Sequence, residues 1–547
     1  MTRAELREQV CAVSATLRSS GLGSGDVVVG YVPNVAEAIV AFLATASIGA
    51  IWSSVGQDYA PSAARDRFRQ LSPKALIAAD GYRFNGKAHD RRGDAERLRH
   101  DLSESLVAQI MITRLGEPLP DSAWLSWQQA LAVDYPAAAP TPVPFNHPLW
   151  VLFSSGTTGI PKGLVHSHGG VLIEHLKTLG LHYDLHRGDR FFWYTSPSWM
   201  LWNFQLSALA LGASIVCYDG SPTYPDASAL WKIVAGLDVT VFGTSPGYLQ
   251  AGQHSGLDPA QLGLKSLRIL STTGAPLPAH AHRWASAALP SGALTVPTWA
   301  GEMSVRNLGV AMEAWSDTGE PLIGEVGELV VTRPMPSMPI GFWNDPDGAR
   351  YREAYFSHYP GVWRHGDWVT ITDRGSVVVH GRSDAILNRH GVRMGSADIY
   401  GAVETIDAVA ESLIVGIEEP DGSYWMPLFV QLRPGAVLDE ALVGQIKDVI
   451  RQKVSPRHVP DVVIQVPGIP HTRTGKKLEV PVKHLLQGRG SQTVLDRDAV
   501  DEPDHLDGVV ELGRAARVTS EFPTQNLHTE LTPRTGRNSK SDRAASR

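Results

Sequence analysis

Helical segments alternate with short apolar strands over roughly the first 380 residues, and this alternation restricts the possible fold more than any other feature. A helical pattern covers 5–19, a buried strand follows at 26–31, and a second helical pattern runs through 34–50. Strands that alternate with helices form parallel sheets whose faces are covered by the helices. The sequence therefore predicts an α/β fold with parallel sheets, followed by a smaller β-rich region at 327–332 and 376–380.

The length of 547 residues exceeds what one hydrophobic core supports, so more than one domain is expected. After 381–384 the pattern changes to a compact α/β module. We therefore predict a large N-terminal domain at 1–383, a smaller mobile C-terminal α/β domain at 384–486, and a largely disordered tail at 487–547. The tail ends in a polar, basic stretch, which is more typical of a solvated terminus than of a surface that binds anions or RNA.

Charge and cysteine content exclude several classes of protein. The formal net charge is −7, which argues against a broad electrostatic surface for nucleic acid. The two cysteines, Cys11 and Cys217, cannot form a disulfide framework, so a cytoplasmic location is expected. The N-terminus lacks the apolar core of a secretion signal, and the chain has no run of about 18 apolar residues that could span a membrane.

The most specific segment is a loop rich in glycine and hydroxyl residues, FSSGTTGIPKG at 153–163. The apolar run at 149–152 precedes it, so a strand leads directly into the loop. Glycines let backbone N–H groups turn toward a polyphosphate, and Lys162 adds a positive charge. The loop is not a Walker motif, because Gly163 follows the lysine. A flexible linker would not require the preceding strand or the Pro-Lys-Gly end, so the pattern favours a phosphate site.

This loop resembles the signature loop of the acyl-adenylate-forming superfamily, whose members activate a carboxylate with ATP and then transfer the acyl group to a thiol. The resemblance implies that the loop binds the β- and γ-phosphates of ATP. The residues concerned are Ser154, Ser155, Gly156, Thr157, Thr158, Gly159 and Lys162.

Two further segments follow in the order of that superfamily. The turn STTGAPL at 271–277 is similar to the loop beside adenine, which implies nucleotide contacts from Gly274, Ala275 and Pro276. A plain strand-to-helix connection is the alternative. The segment WRHGDW at 363–368 resembles the ribose motif, and a carboxylate such as Asp367 can accept both ribose hydroxyls. An ordinary turn aspartate is the alternative there.

The segment GRSD at 381–384 resembles the crossover between the two domains of the superfamily. By that resemblance Arg382 binds nucleotide and Asp384 is the hinge on which the small domain turns. Gly391 is expected beside the pantetheine channel of CoA, and Arg393 near phosphate. The bulky residues at 388–390 depart from the small residues usual in relatives, which affects the expected shape of the thiol channel.

Near the end of the small domain, the segment PHTRTGKK at 470–477 resembles the mobile loop that carries the catalytic lysine. The matching position is Lys476, after Gly475. An ammonium suits this role because negative charge develops on the leaving pyrophosphate during adenylation. An exposed basic turn without catalytic function is the alternative.

The aromatic stretch at 191–204 concerns the acid substrate, although such a pattern is more often core than pocket. It resembles the acetoacetyl-CoA synthetase branch of the superfamily, with Trp199 against the acyl group. The other segments that carry this resemblance, which covers about 1–485, are 218–222, 242–245, 333–348 and 476–483. The implied reaction joins acetoacetate to CoA through an acetoacetyl-adenylate, with ATP, CoA and Mg²⁺ taking part.

The sequence departs from that branch in two places. It begins inside the large domain, without the usual N-terminal segment. A Gly-Gly-Thr-Asp segment that serves nucleotide and Mg²⁺ in relatives is missing near 290–298, and Glu302 is the one candidate to replace its acidic residue. Such a loss would weaken substrate positioning. A degenerate, non-catalytic nucleotide-binding protein is therefore one alternative function, and a synthetase for acetate, propionate or another short acid is a second.

Overall fold

The computed structural model describes most of the chain. The described residues are 1–59, 61–132, 139–154, 161–274, 277, 279–287, 299–383, 387–389, 392–394, 396–418, 424–454, 456–472, 475–488 and 500–521. Among these residues, no helix combines the length and the apolar character that crossing a membrane requires.

The first layer of the large domain is a mainly parallel sheet. This region contains α1 (Arg3–Ser19), β1 (Val27–Tyr31), α2 (Ala36–Ser47), β2 (Ile51–Val55), α3 (Pro61–Phe68), β3 (Ala75–Ala79), β4 (Gly81–Phe84), β5 (Lys87–Asp90), α4 (Arg92–Asp101), β6 (Ala108–Ile112), β7 (Leu125–Ser126), α5 (Trp127–Leu131), β8 (Pro148–Ser154) and β9 (Lys162–Ser167). Of these, β4 and β5 form a separate antiparallel hairpin. The strands are ordered β9-β8-β2-β1-β3-β6-β7, parallel from β8 to β7, and β9 folds back antiparallel on β8. Every residue of β1, β2 and β3 is buried, as expected for strands covered on both faces.

The second layer is a smaller parallel sheet. Its elements are α6 (His168–Lys177), β10 (Arg190–Trp193), α7 (Met200–Leu206), β11 (Ser214–Val216), α8 (Ala229–Gly236), β12 (Val241–Thr244), α9 (Pro246–His254), β13 (Ile269–Thr272) and α10 (Ala279–Ala287). The strand order is β11-β10-β12-β13. One face packs on aromatic side chains, where the stacked rings of Phe192 and Phe242 lie 5.4 Å apart and Trp231 meets Phe242 edge-on.

The third layer is a five-stranded antiparallel sheet. Its region contains β14 (Met312–Trp315), β15 (Pro321–Leu322), β16 (Val326–Val331), β17 (Gly341–Phe342), α11 (Ala349–Phe356), β18 (Trp363–Ile371) and β19 (Val377–Arg382). The order is β15-β14-β16-β18-β19, while β17 extends the first sheet beside β9. The predicted parallel sheets and the β-rich region are both confirmed.

The C-terminal module is a separate α/β unit with its own sheet. It contains β20 (Leu387–Arg389), β21 (Val392–Met394), α12 (Ser396–Val403), β22 (Val409–Ile414), β23 (Ile417–Glu418), β24 (Tyr424–Trp425), β25 (Pro427–Leu432), α13 (Glu440–Lys453), β26 (Val462–Gln465), α14 (Glu479–Leu486) and α15 (Pro503–Glu521). The central sheet has the order β22-β25-β26. The side chain of Asp439 caps α13 by accepting the Leu442 N–H at 2.8 Å.

Within the predicted tail at 487–547, residues Pro503–Glu521 form α15. This helix buries Leu506, Val509 and Val510 in the core of the C-terminal module. The burial of that apolar stripe, which recurs at helical spacing, stabilises the helix against α14 and β26. Residues 522–547 lie outside the described part of the chain.

Candidate functional site

Several predicted site residues of the large domain come from loops at the carboxyl ends of parallel strands. β2 and β8 run parallel, so the loops after Val55 and Ser154 leave the same edge of the first sheet. Hydrogen bonds link the segment before α7 to this edge. The Ser54 hydroxyl donates to the Pro197 carbonyl at 2.9 Å, and the Gly56 N–H donates to Ser198 Oγ at 2.6 Å. Ligands of open α/β sheets bind at this edge.

The ends of the phosphate loop are fixed by a hairpin. Ser154 and Lys162 are directly paired where β8 meets β9. The Lys162 ammonium lies 5.7 Å from the centre of the Phe342 ring. The Trp343 N–H donates to the Gly163 carbonyl at 2.7 Å, which binds β17 to the loop end. This geometry suits a loop that must meet a polyphosphate in a defined place.

The remaining phosphate-loop residues lie outside the described part of the chain. They are Ser155, Gly156, Thr157, Thr158 and Gly159.

The predicted acyl-pocket residue and the predicted adenine loop meet. Trp199 precedes α7 and is half-buried. A Cβ on Gly274 would stand 3.5 Å from its indole, and Gly274 itself has φ +103°, a value that L side chains rarely adopt. At the start of the same turn, the Ser271 hydroxyl donates to Tyr183 Oη at 3.0 Å. The indole thus packs directly on the backbone of the turn.

The other two predicted members of the adenine loop, Ala275 and Pro276, lie outside the described residues.

Asp367 is presented by an irregularity in the third sheet. The pairing of β18 with β16 jumps from Trp368 to Arg364, so His365–Asp367 bulge out of the ladder. Gly366 has φ +88°, and the Asp367 side chain remains one-fifth exposed beside His365 Nδ1. β-Bulges commonly redirect a side chain in this way. The carboxylate is placed where it can accept hydrogen bonds.

Glu328 on β16 was not predicted from the sequence. Its carboxylate, 3% exposed, accepts the Gly366 N–H at 3.0 Å and the Ser383 hydroxyl at 2.8 Å, and it forms an ion pair with Arg364 at 3.1 Å. The one signal in the sequence is the acidic residue within the apolar run GELVV. A carboxylate buried in such a strand requires polar partners, so its presence indicates that donors lie around it.

The residues predicted around the domain crossover are only partly described. Arg382 ends β19 opposite Asp367, and Arg393 lies in β21 opposite Asn388. Asp384 and Gly391 lie outside the described residues. The pairing of Asp367 with Arg382 brings the predicted ribose motif and the predicted crossover onto neighbouring strands.

Lys476 lies on a tight, exposed turn. The Gly475 N–H and the Lys476 N–H both reach Thr472, at 2.8 Å to its carbonyl and 3.1 Å to its hydroxyl. His471 and Lys477 pair across the turn, and Gly475 has φ +78°. The backbone of Lys476 is therefore held while its side chain projects from the surface.

Lys477 is the anchor of this turn, and sequence reasoning did not identify that role. Its ammonium lies 2.7 Å from both Glu404 and the Ser412 carbonyl, and 3.9 Å from the centre of the Tyr400 ring. Glu411 accepts from His471 Nε2 at 2.7 Å. Burial opposes ionisation of Glu411, but this hydrogen bond and the Lys477 charge hold its pKa below the usual range.

Glu302, the candidate magnesium ligand, is engaged in an ion pair. Its two oxygens lie 2.8 and 2.9 Å from Arg374 Nη2, and the Ser376 hydroxyl also donates to it. In the described part of the chain, no three His, Cys, Asp or Glu side chains are grouped as a metal site would require. Residues 288–298, where the expected segment is missing, lie outside the described residues.

Family models match two regions of the chain. Residues 1–339 match the AMP-binding enzyme family, and residues 401–476 match the AMP-binding enzyme C-terminal domain. The chain therefore belongs to the AMP-binding enzyme family.

Several similar relatives are acetoacetyl-CoA synthetases. The acetoacetyl-coenzyme A synthetase of Rhizobium meliloti (strain 1021) is 42% identical over 534 residues, which cover 93% of this chain and 81% of that protein. The acetoacetyl-CoA synthetase of Mus musculus is 40% identical over 541 residues, covering 93% and 79%. A solved structure, the acetoacetyl-CoA synthetase from Streptomyces lividans, is 50% identical with a TM-score of 0.89 and covers 94% of this chain and 82% of that one.

Proposed function

We propose that this protein joins acetoacetate to CoA at the expense of ATP, through an acetoacetyl-adenylate and with release of AMP and pyrophosphate. The observation that carries the proposal is the identity of 40–50% to acetoacetyl-CoA synthetases over more than nine tenths of the chain. The degenerate, non-catalytic alternative is not favoured, because the described residues of the predicted phosphate, ribose and lysine motifs are of the types that the proposed reaction requires.

Each described site residue has a part in the first half-reaction. The hairpin ends at Ser154 and Lys162 direct donors and a positive charge toward the ATP phosphates. Asp367 accepts the ribose hydroxyls, and Trp199 forms an apolar wall for the acyl group. Lys476 stabilises the charge that develops on the leaving pyrophosphate, since a preorganised cation lowers the barrier most where charge forms.

The second half-reaction requires the small domain to turn about Asp384, so that CoA reaches the adenylate past Gly391. Arg382 and Arg393 complete the nucleotide and phosphate contacts. Reuse of one pocket for two steps by a hinge motion is an established device of enzymes.

Glu302 is the candidate magnesium ligand. The described residues offer no ligand cluster, and Glu302 would have to exchange its ion pair with Arg374 for the ion. A magnesium titration of Glu302→Gln tests this candidate ligand directly. If Glu302 binds the ion, the variant should need a higher magnesium concentration than the parent for half-maximal activity. An unchanged concentration would remove Glu302 as a candidate.

The first experiment is acetoacetate-dependent exchange of labelled pyrophosphate into ATP, with acetate and propionate in parallel. Greatest exchange with acetoacetate supports the proposal, and greatest exchange with another acid replaces the substrate. A folded protein that binds ATP but shows no exchange with any acid would establish the degenerate alternative.

The role of Lys476 is tested by separating the half-reactions. We expect Lys476→Ala to lower exchange by about 100-fold or more, the usual effect of removing a stabilising group from a transition state. Thioester formation from supplied acetoacetyl-adenylate should persist. Lys265→Ala, which removes an exposed lysine outside the site, is the control. Equal loss of both half-reactions in Lys476→Ala would contradict the role.

A further inference from the structure

Glu328 joins two turns that the proposed function requires. It lies on β16 in the third sheet and is 3% exposed. A carboxylate buried to this extent is costly unless donors surround it. One oxygen accepts the Gly366 N–H at 3.0 Å and the Ser383 hydroxyl at 2.8 Å, and the other lies 3.1 Å from Arg364 Nε. These contacts give the side chain a fixed orientation.

The partners of Glu328 immediately precede the predicted functional residues. Gly366 comes before Asp367, the predicted ribose ligand, and Ser383 comes before Asp384, the predicted hinge. A third hydrogen bond closes the arrangement, since the Ser383 N–H donates to the Gly366 carbonyl at 2.9 Å. A single carboxylate oxygen thus sets the positions of both turns.

We propose that Glu328 is a positioning residue, which orients Asp367 for the ribose and connects that turn to the hinge through Ser383. The inference rests on the proposed function, because it takes the roles of Asp367 and Asp384 from it. The bulge between Trp368 and Arg364 explains why a side-chain acceptor is needed here. Backbone groups in the bulge leave the ladder, and the Glu328 carboxylate replaces the missing partner of Gly366.

Glu328→Gln is the decisive variant, because it keeps the size of the side chain and removes its charge. A hydrogen bond to a charged group contributes enough that its loss should weaken ATP binding about tenfold. The lost affinity should come from weaker contacts with the ribose hydroxyls. The preference for ATP over 2′-deoxy-ATP, measured by calorimetric titration of the full chain, should shrink by a similar factor. Glu313→Gln on β14 of the same sheet, whose carboxylate accepts from Trp315 Nε1 at 2.7 Å, is the matched control.

Ser383→Ala separates the two connections, because it removes only the contact on the hinge side. ATP binding and the 2′-deoxy-ATP preference should stay within about twofold of the parent, the scatter expected when no contact to the nucleotide is lost. The ratio of pyrophosphate exchange to thioester formation from supplied adenylate should change. This second variant also covers the case in which Glu328→Gln fails to fold.

The outcomes distinguish the inference from the proposed function. If the parent catalyses no exchange, the proposed reaction fails, yet nucleotide titration still tests the ribose role. A Glu328→Gln protein that folds and keeps the full preference for ATP over 2′-deoxy-ATP overturns the positioning role. A Ser383→Ala protein with an unchanged ratio of half-reactions overturns the connection to the hinge.

Discussion

The Lys477 ammonium lies 2.7 Å from the Glu404 carboxylate, and both side chains are largely buried, with exposed fractions of 19% and 15%. The neighbouring residue, Lys476, projects from the same turn into solvent. Two adjacent lysines therefore have opposite surroundings. Lys477 holds the turn, and Lys476 is the exposed lysine to which we assign the catalytic role.

Replacement of Lys477 should damage both stability and activity. Lys477→Met keeps the length of the side chain but leaves Glu404 without its cation. Breaking a largely buried ion pair in this way should lower the free energy of unfolding by about 2–3 kcal/mol. Chemical denaturation followed by tryptophan fluorescence measures this loss, and pyrophosphate exchange should fall as the turn loosens.

The control for this prediction is Lys476→Ala, which should leave stability within about 0.5 kcal/mol, as is usual for exposed positions. Lys477→Arg should recover part of the stability. If Lys476→Ala proved the more destabilising change, the assignment of anchor and catalytic side chain would have to be reversed.

A side chain at Gly274 should disturb the proposed acyl pocket. In Gly274→Ala the new Cβ would lie in van der Waals contact with Trp199, 3.5 Å from the indole, at a strained φ of +103°. Backbone strain of this kind costs about 1–3 kcal/mol. We expect a higher KM for acetoacetate in the exchange assay, together with a modest loss of stability.

Gly188→Ala is the matched control for Gly274→Ala. Gly188 has nearly the same φ, +106°, but a Cβ there meets nothing within 4 Å. It should reproduce the strain without changing KM. An equal change of KM in both variants would show that strain alone, and not contact with Trp199, is responsible.

The sequence predicted those parts of the fold whose signal is local. The fully apolar strand β1 and the helix after it read directly as an α/β pattern, because burial on both faces leaves no polar alternation. Helix α15 was missed because only a short apolar stripe marks it. Its packing partners include Leu486 and Phe429, which approach Gly513 from distant parts of the chain.

Prediction of the site from the sequence is limited in the same way, because contacts between distant residues are not visible in it. Family resemblance led to Lys476 and Asp367, but the groups that hold them are defined by contacts between distant strands. From the sequence alone Glu328 is an acidic residue within an apolar strand, and only the bulge opposite it shows why an acid is buried there. Lys477 was indistinguishable from its neighbour until Glu404 and Tyr400 were placed around it.

The packing of α15 supplies a further test. Val509 is fully buried in the C-terminal core, so Val509→Ala should destabilise the protein by about 2 kcal/mol through lost contacts and a cavity. Leu512→Ala on the same helix, 38% exposed, should cost much less. Denaturation of both variants checks the difference. Equal, negligible effects would mean that α15 does not contribute to this core.

The buried histidines should make stability depend on pH. His175 on α6 is enclosed by Trp150 and Phe204, and its Nδ1 lies 2.7 Å from Ser207 Oγ. Burial lowers its pKa to about 4, so the folded protein keeps the ring neutral where the unfolded chain, with a pKa near 6.5, takes up a proton. The unfolded state therefore binds more protons between pH 4 and 6.5. Stability should fall as the pH drops through that window, by about 1.4 kcal/mol per pH unit for this one group, and should level off above it.

His175→Gln keeps a polar group beside Ser207 but does not titrate. Urea midpoints measured from pH 7.5 down to 4.5 should therefore decline less steeply in this variant than in the parent. His100→Gln, at an exposed position, should leave the slope as it was. If the stability of the parent stayed constant from pH 7.5 to 4.5, the His175 ring would be protonated in the folded protein without cost. That result would contradict the effect that we assign to its burial.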